Sequence, residues 1–506
     1  MKKIFKQILP IALASCALSF TACDDMLETK NFTDMTADNF FNTEGDIKAA
    51  VTGLYVPCTT NWGYSDGGTG GWYNAIFNAD NNAYYPCGMT MTDIMRHYSS
   101  NIYDEFNFGP SSGGPIKNTY NVIRFVARAT DVINNIGKSK ASDAVKERYV
   151  AEVKTLRAFY MYVLLDWFGP VNVKLDPETL MDNTITARPT NEEYVGYIEK
   201  DLNEAIACEN FPDKYNDDEE NWGRMSKAVA YGVRMELYMH EKNWKEAKAA
   251  AQQLMSMGYE LLDNYEDVFN IARNAEQVWS IPANTSSDNF YVTEVLPSDF
   301  KRGYNSLGES YMRGNDTDWK CGWQSYCMYW DYYDTFEASD VRKNTILVEY
   351  DTNDGSHKGR GTGMVGPIPI KFTDSQFSNY GIQKEHPVIR YAEVLLSYAE
   401  AENELNGPTA SAIAAVKQVT DRAHVSIPAD ATASKEAFRS YLLVERGHEL
   451  FCEGHRRQDL IRHGEFIKRA QERGYNAQSY HVLMPIPQNV ITEANGIIEQ
   501  NAGYTK

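Results

Sequence analysis

The sequence is short of positive charge, because Lys and Arg total 49 against 69 Asp and Glu in 506 residues. The resulting net charge of −20 repels the phosphate backbone of nucleic acids. No stripe of basic residues offsets this repulsion at any point of the chain. A nucleic-acid partner is therefore not expected.

Long hydrophobic runs are also lacking after residue 22, so no later segment is expected to span a membrane. The opening "MKKIFKQILPIALASCALSFTA" is different. It has a basic start, an apolar run too short for a bilayer, and small residues at its end, as a secretion signal does. A chain that begins directly after it would carry 46 basic and 69 acidic residues, for a net charge of −23.

The residue after this opening, Cys23, stands where a bacterial lipoprotein signal has the cysteine that is acylated. The run LASC at residues 13–16 matches that pattern more closely. Cleavage at Cys16 would, however, leave the apolar residues 17–22 at the start of the mature chain. We predict lipidation at Cys23, with Cys16 and ordinary cleavage as alternatives. Several acyl chains would hold the protein on its membrane, since each buried methylene contributes about 0.8 kcal/mol.

Six cysteines follow the signal region, and an exported chain permits disulfides among them. The pairs Cys58/Cys87 and Cys321/Cys327 are close in sequence, but sequence alone does not assign connectivity. Cys452 lies in an apolar helical segment and is expected to be a buried free thiol.

Motifs of enzymes occur only in unsuitable surroundings. Residues 361–366 read GTGMVG, but a dinucleotide site needs a helix next, and Pro367 follows. Residues 109–113 read GPSSG within a Pro/Gly/Ser turn, where no nucleophile elbow forms. The nine His show no metal-ligand spacing, and His455 and His463 are expected to be surface or capping residues. We expect no enzyme activity, no cofactor and no metal.

Helical periodicity is clearest in residues 147–169, "ERYVAEVKTLRAFYMYVLLDWFG". Apolar side chains recur there at spacings of three and four, which predicts a helix with one buried face. Gly169 is expected to end it. A further helical region runs from residue 387 to about 474.

Residues 225–258 predict a helical hairpin. Ser226 is a plausible cap, the turn falls at Lys242 and its neighbour, and Gly258 is the stop. Its 34-residue length and the small residues of its second helix suggest a tetratricopeptide-like unit, in which helices approach closely.

Two irregular segments, roughly 56–115 and 275–385, are rich in Gly, Asn, Asp and aromatic residues. Long loops of this kind are usually functional. Within the second, residues 316–336 read "DTDWKCGWQSYCMYWDYYDTF" and hold three Trp, four Tyr and one Phe. Flat rings beside Asp and Asn suit the faces and hydroxyls of a sugar. The alternative is that the rings pack a core. A second aromatic group, which begins at Asn61, could meet this one in space.

The carboxylates among these rings also permit a glycosidase, which needs two of them at a set separation. Sequence does not show that separation, so a surface glycosidase is the less favoured interpretation. The candidate residues are Asp316, Asp318, Asp331 and Asp334.

Several blocks resemble the SusD/RagB family of outer-membrane nutrient-binding lipoproteins. They are "TADNFFNTEGDIKAAVTGLY", "AEVKTLRAFYMYVLLDWFGPV", "ASDVRKNTI", "VIRYAEVLLSYAEAENELNG", "ERGHELFCEGHRRQDLIRHG" and "MPIPQNVITEANGIIEQNAGY". They follow the family's order and span nearly the whole chain.

The resemblance implies a mainly α fold, with a tetratricopeptide-like (TPR-like) helical-hairpin scaffold and a loop-rich variable ligand-binding lobe containing a few short strands. After a signal peptide at residues 1–22, residues 23–506 are expected to form a single domain. The expected scaffold is about 36–55, 116–274 and 386–480, and the expected lobe is about 56–115 and 275–385.

The resemblance also implies a lipid-anchored protein at the surface of the outer membrane that binds glycans and passes them to a SusC-like TonB-dependent transporter. Binding of peptides or another nutrient, and a purely structural role beside the transporter, are alternatives. In the family the glycan platform draws on aromatic residues of both irregular segments. The implied ligand-binding residues are Trp62, Trp72, Tyr73, Trp319, Trp323, Tyr326 and Trp330.

Overall fold

The computed structural model of the chain describes residues 41–60, 75–79, 82–283, 289, 291–312, 322–372 and 384–505. Within these ranges the protein is mainly helical, which confirms the predicted fold class. The α-helices are α1 (Glu44–Gly53), α2 (Tyr84–Thr90), α3 (Pro115–Tyr120), α4 (Ile123–Lys138), α5 (Asp143–Phe168), α6 (Asn191–Ala207), α7 (Lys227–His240), α8 (Trp244–Met255), α9 (Asp267–Asn270), α10 (Tyr291–Val295), α11 (Trp330–Tyr333), α12 (Tyr391–Asn406), α13 (Ala410–Arg422), α14 (Lys435–Glu449), α15 (Arg456–Arg462), α16 (Phe466–Glu472) and α17 (Gln488–Glu493).

Short strands lie mostly between α8 and α12. They are β1 (Met95–His97), β2 (Gln277–Ile281), β3 (Phe300–Asn305), β4 (Ser310–Met312), β5 (Tyr326–Met328), β6 (Ile346–Thr352), β7 (His357–Gly359), β8 (Ile368–Pro369) and β9 (His386–Arg390). All pairs are antiparallel: β1 with β5, β2 with β9, and a sheet in the order β4-β3-β6-β7 in which β8 also pairs with β6.

Helix α5 confirms the helix predicted for residues 147–169. The Ser142 side chain caps it by accepting a hydrogen bond from the Val145 N–H, and Gly169, with φ +69°, ends it. The prediction of one buried face is wrong for the second half, where residues 155–168 are all buried. The reason is that α3, α4, α6 and α7 surround this half of the helix.

Helices α7 and α8 form the predicted hairpin. The Ser226 side chain accepts a hydrogen bond from the Val229 N–H, and Lys242 turns the chain with φ +56°. Ala247, Ala250 and Ala251 of α8 are buried, as the small residues predicted, whereas Ala249 is exposed, and α8 packs on both α7 and α12. Packing continues from α4 through α5, α6, α7, α8 and α12 to α13 and α14, so antiparallel helices stack as TPR-like pairs.

Buried apolar residues from both the helical regions and the strand regions belong to one contiguous core. The two irregular segments therefore pack on the helices through shared apolar side chains. The exact division of residues 23–506 into scaffold and lobe stays a prediction.

A buried set of ion pairs, here called the ionic cluster, joins the strand region to the last helices. Its members are Glu276, Asp340, Arg342, Lys371, Arg390, Arg422, Glu445, Glu449 and Glu453. All nine side chains are buried. Such charges are tolerated in an interior only when they are paired and hydrogen-bonded.

Arg390, at the end of β9, is central to the ionic cluster. Its guanidinium donates to Glu276 at 2.7 Å, to Glu453 at 2.6 Å and to Glu449 at 2.5 Å. Arg342 donates to Glu445 at 2.6 Å. Because Glu445 and Glu449 are four residues apart on α14, both carboxylates face Arg342. The ionic cluster thus fixes α14 against the strands.

Candidate functional site

The two irregular segments meet at a pair of strands. In the antiparallel register, Met95 of β1 lies opposite Met328 of β5, and His97 lies opposite Tyr326. The contact extends to both sides, because the Tyr98 N–H donates to the Ser325 carbonyl at 2.8 Å. The two irregular segments therefore lie side by side at these strands, whereas most of the aromatic group that begins at Asn61 lies outside the described residues.

The predicted ligand-binding aromatic residues differ in their exposure to solvent. Trp323, just before β5, is 55% exposed, and Trp330, the first residue of α11, is partly exposed. Tyr326 is 1% exposed. The other predicted residues, Trp62, Trp72, Tyr73 and Trp319, lie outside the described residues.

The prediction that Tyr326 offers a ring to a ligand is therefore wrong. All three residues of β5 are buried, since β1 pairs with one edge of this short strand and the Met328 N–H donates to the Pro367 carbonyl at 2.9 Å. The Tyr326 ring borders an apolar cavity of about 10 Å³ beside Tyr291 and Phe372. It belongs to the core of the protein.

Trp330 is oriented by its neighbours. The Tyr333 ring meets it edge-on, with 6.2 Å between ring centroids and an interplanar angle of 87°. The Arg360 guanidinium lies 5.0 Å from the indole centroid, in a cation–π contact. Arg360 also donates to both oxygens of Asp334, each at 2.8 Å. The indole is thus held in place while part of it remains open to solvent.

A second arginine, Arg473, supports α11 from the C-terminal part of the chain. Its guanidinium lies 3.6 Å from the centroid of the Tyr329 ring and donates to Asp331 at 3.2 Å. The Tyr329 hydroxyl is 2.9 Å from that of Tyr475. These contacts join the loop segment to residues that follow α16. They therefore stabilise α11, whose own four residues make too short a helix to be stable alone.

The backbone before β5 projects Trp323 outward. Gly322 has φ +82°, and a Cβ at this position would lie 1.7 Å from the Leu296 carbonyl oxygen. Gln324 also has a positive φ, of +48°, and the Ser325 N–H donates to the Glu294 carbonyl at 2.6 Å. Only glycine permits so close an approach between two backbones. The position of the exposed indole therefore depends on Gly322.

We call Trp323 and Trp330, together with Asp331, Asp334 and Arg360, the aromatic surface. Its rings offer flat apolar faces, and its charged side chains offer hydrogen-bond donors and acceptors. Asp331 and Asp334 were singled out from the sequence. Arg360 and Arg473 were missed, because contacts between a cation and a ring 30 or more residues away leave no local pattern.

Three groups near the aromatic surface have shifted pKa values. Burial raises the pKa of the Cys327 thiol to about 12, and burial together with the Tyr475 hydrogen bond raises the pKa of the Tyr329 phenol. Both groups stay protonated near neutral pH and are poor nucleophiles. The hydrogen bonds to Asp334 raise the pKa of Arg360, which keeps its charge.

The described cysteines are free thiols. Cys58 and Cys87, suggested as a pair, are therefore not bonded to each other. The other suggested pair, Cys327 with Cys321, is not tested. Cys58 and Cys87 are both buried, and the Cys58 sulfur contacts the Tyr160 hydroxyl at 3.7 Å. Cys321 lies outside the described residues. The prediction that Cys452 is a buried free thiol is confirmed.

The expectation that His455 and His463 are surface or capping residues is half right. They flank α15 at its two ends, but neither side chain makes a capping hydrogen bond there. His463 is buried with its Nε2 atom 3.1 Å from Glu400, and His455 Nδ1 lies 3.5 Å from Glu393. Both imidazoles turn inward because buried carboxylates face them.

Comparison with known proteins shows which proteins the chain is similar to. A family model described as "SusD family" matches residues 347–504. SusD-like protein P25 of Formosa agariphila is 26% identical over 530 residues, covering 95% of this chain and 96% of that protein. The starch-binding protein SusD of Bacteroides thetaiotaomicron is 24% identical over 436 residues, covering 72% of this chain and 74% of that protein. The chain is thus similar to SusD-like proteins along most of its length.

A solved structure shows the same fold as this chain. It is surface glycan-binding protein A from Bacteroides thetaiotaomicron in complex with laminarihexaose, with a TM-score of 0.68 and 22% identity. The match covers 90% of this chain and 99% of that one. At this level of identity the likeness establishes the fold.

The predictions of a signal peptide and of a lipid anchor concern the start of the chain. Residues 1–40, with Cys16 and Cys23, lie outside the described residues. Among the helices that the structure describes, none combines the length and the apolar character that crossing a bilayer requires.

Proposed function

We propose that this chain is a cell-surface lipoprotein that binds glycans and delivers them to a transporter. The observation that carries the proposal is the exposed indole of Trp323, which stands beside β5 with the partly open Trp330 following on α11. An exposed ring in an irregular segment is typical of an interaction surface.

The chemistry of the aromatic surface suits a sugar. The axial C–H groups of a pyranose stack on a flat indole. Its hydroxyls donate hydrogen bonds to carboxylates such as that of Asp331 and accept them from a guanidinium such as that of Arg360. The surface is open, so the buried area is small and the affinity is expected to be modest. Trp62, Trp72, Tyr73 and Trp319 remain part of the proposed platform.

Two similar proteins support this class of ligand, since one is a starch-binding protein and another was solved with laminarihexaose. Starch and laminarin are therefore suitable probes. We propose binding without cleavage, and release of reducing ends during incubation with either polysaccharide would contradict that part of the proposal.

The proposed partner is a SusC-like TonB-dependent transporter in the outer membrane, reached through a lipid anchor on Cys23. Similarity to SusD-like proteins supports both proposals. A Cys23→Ala variant should leave the membrane fraction, whereas Cys16→Ala should not. Co-purification of the membrane-bound chain with a transporter of this type tests the partnership, and isolation of the chain alone under mild detergent would count against it.

The central experiment is retention in native affinity gels that contain laminarin or starch. We expect wild-type protein to be retarded by at least one polysaccharide, and the double variant Trp323→Ala/Trp330→Ala to lose that retardation. Each lost ring should weaken binding by roughly tenfold or more, as for aromatic residues at the centre of a contact.

A matched control is Trp244→Ala, which removes a partly exposed indole from the α7–α8 hairpin instead. This variant should keep its retention. Melting curves of all variants separate lost binding from lost folding. Unchanged retention of the double variant, or retention by a peptide matrix in place of a polysaccharide one, would overturn the proposal.

A further inference from the structure

A cavity of about 50 Å³ lies within the helical scaffold, and none of its lining residues belongs to the aromatic surface. Its wall includes the carboxylates of Glu236 on α7 and Glu393 on α12, and the imidazole of His455 just before α15. A single water needs roughly 10–15 Å³ by this measure, so the cavity has room for an ion together with water.

The three side chains have the spacing of metal ligands. His455 Nδ1 lies 3.5 Å from Glu236 Oε1 and 3.5 Å from Glu393 Oε1. One ligand atom of each residue lies within 4.8 Å of the other two. Tetrahedral ligands at bond lengths of about 2.0–2.2 Å are roughly 3.3–3.6 Å apart, which is close to the two imidazole–carboxylate distances.

Two carboxylate oxygens in this cavity have no hydrogen-bond donor among the described residues. They are Glu393 Oε2 and Asp459 Oδ2, and the residue Glu393 is only 1% exposed. A buried carboxylate oxygen without a donor or a cation is costly. The cavity therefore calls for a positively charged group that the described side chains do not supply.

The nearby arginines are already committed to other carboxylates. Arg446 donates to Asp459 at 2.8 Å and to the Ser397 hydroxyl at 3.0 Å. Arg462 donates to Glu400 at 2.5 Å and to Asp459 at 2.7 Å.

A third arginine, Arg457, donates to Asp166 at 3.0 Å. In the part of the chain that the structure describes, the ion-pair contacts of Glu236 and Glu393 lead only to His455. The two carboxylates, of which Glu393 is buried and Glu236 is 19% exposed, thus share this imidazole as an ion-pair partner.

We propose that Glu236, Glu393 and His455 bind one divalent transition-metal ion, with Zn²⁺ and Mn²⁺ as the best fits. Two carboxylates and one imidazole form a mixed oxygen and nitrogen donor set, which suits these ions. Ca²⁺ prefers six to eight oxygen ligands, and a set with one nitrogen serves it poorly. The ion would link α7, α12 and α15, a structural role separate from glycan binding.

The test uses the whole chain, purified without an affinity tag and stripped with a chelator that is then removed. Zn²⁺ and Mn²⁺ are titrated by calorimetry, with Ca²⁺ as the comparison ion. We expect one site per chain, a rise in melting temperature on addition of Zn²⁺ or Mn²⁺, and weakening by more than about tenfold in Glu393→Gln and His455→Gln, since outer-shell changes alone cost roughly 10–100-fold.

The matched control is His463→Gln, which removes a histidine at the other end of α15 whose carboxylate partner, Glu400, already pairs with Arg462. This variant should bind the ion as tightly as wild type. Should the ligand variants fail to fold, anomalous diffraction from wild-type crystals soaked in Zn²⁺ decides instead, with a peak expected between the three side chains.

Several results would overturn the proposal. They are absence of one-to-one binding by wild type, equal binding by Glu393→Gln and wild type, or an anomalous map with no peak in the cavity. Each of them would mean that water or a shared proton satisfies the two carboxylates.

Discussion

The ionic cluster and the aromatic surface contain the same types of charged residue, but these residues have different roles in the two regions. In the ionic cluster, Arg390 and Glu449 are fully buried and contact several partners each. At the aromatic surface, the side chains of Arg360 and Asp334 are 57% and 47% exposed although they form a bidentate pair. Burial strengthens each interaction and makes its loss costly, whereas water screens the exposed pair. The ionic cluster therefore stabilises the fold, whereas the charged side chains of the aromatic surface could exchange their partners for the proposed ligand.

The largest effect should come from Glu449→Gln in the ionic cluster. The Glu449 carboxylate faces Arg342, Arg390 and Arg422, so the change leaves buried cations without their partner. We expect the free energy of unfolding to fall by about 3–5 kcal/mol, as when one member of a buried ion pair is removed. Denaturant unfolding followed by circular dichroism measures it.

The matched control for this variant is Asp421→Asn, which breaks the exposed pair with Lys417 on α13. Its cost should stay below about 1 kcal/mol, the usual range for surface pairs. Equal losses in the free energy of unfolding of the two variants would contradict the expected difference between buried and exposed ion pairs.

A smaller effect is expected from acid. Burial alone would raise the pKa of Glu453, but Arg390 and Lys371 outweigh burial and lower it to about 2. Because this folded-state pKa is below the usual 4.5, the carboxylate stabilises the protein fully above pH 4.5 and loses that contribution as the pH falls towards 2.

Urea unfolding at pH 6, 4.5 and 3 measures the acid effect. The loss of stability between pH 4.5 and 3 should be smaller in Glu453→Gln, whose side chain does not titrate. An identical slope in this variant and in wild type would show that Glu453 does not carry the effect.

Gly322→Ala should have a local effect at the aromatic surface. A methyl group at this position meets the Leu296 carbonyl, and the residue keeps a positive φ that costs about 1–3 kcal/mol for a residue other than glycine. We expect Trp323 to shift and glycan retention to weaken. Gly308→Ala is the control, since it has φ +85° but no atom within 4 Å of the added group. Equal retention in both variants would exclude steric placement of Trp323 by Gly322.

Local sequence patterns predicted the helices well. The spacing of apolar residues in α5, the Ser226 cap and the alanines of α8 are all consequences of neighbouring residues, which a single sequence displays. The resemblance blocks added the similarity to SusD-like proteins and the fold. They did not show why their charged residues are there, which the ionic cluster explains for Asp340 and Arg342.

Contacts between distant parts of the chain were harder to predict. The family resemblance implies a place for Tyr326 in the ligand platform, yet its burial is decided by β1, far earlier in the sequence. The grouping of Glu236, Glu393 and His455 likewise depends on three separate helices. Charge and ring type are visible in a sequence, but the side of the fold that each faces is set by tertiary packing.

The most direct test of this account is a crystal structure of the chain with an oligosaccharide of the polysaccharide that retards it in the affinity gel. We predict a sugar ring stacked on Trp323 or Trp330, with a hydroxyl hydrogen-bonded to Asp331, Asp334 or Arg360. A sugar bound elsewhere, with no contact to residues 322–334, would contradict the claim that the junction of the two irregular segments forms the binding surface.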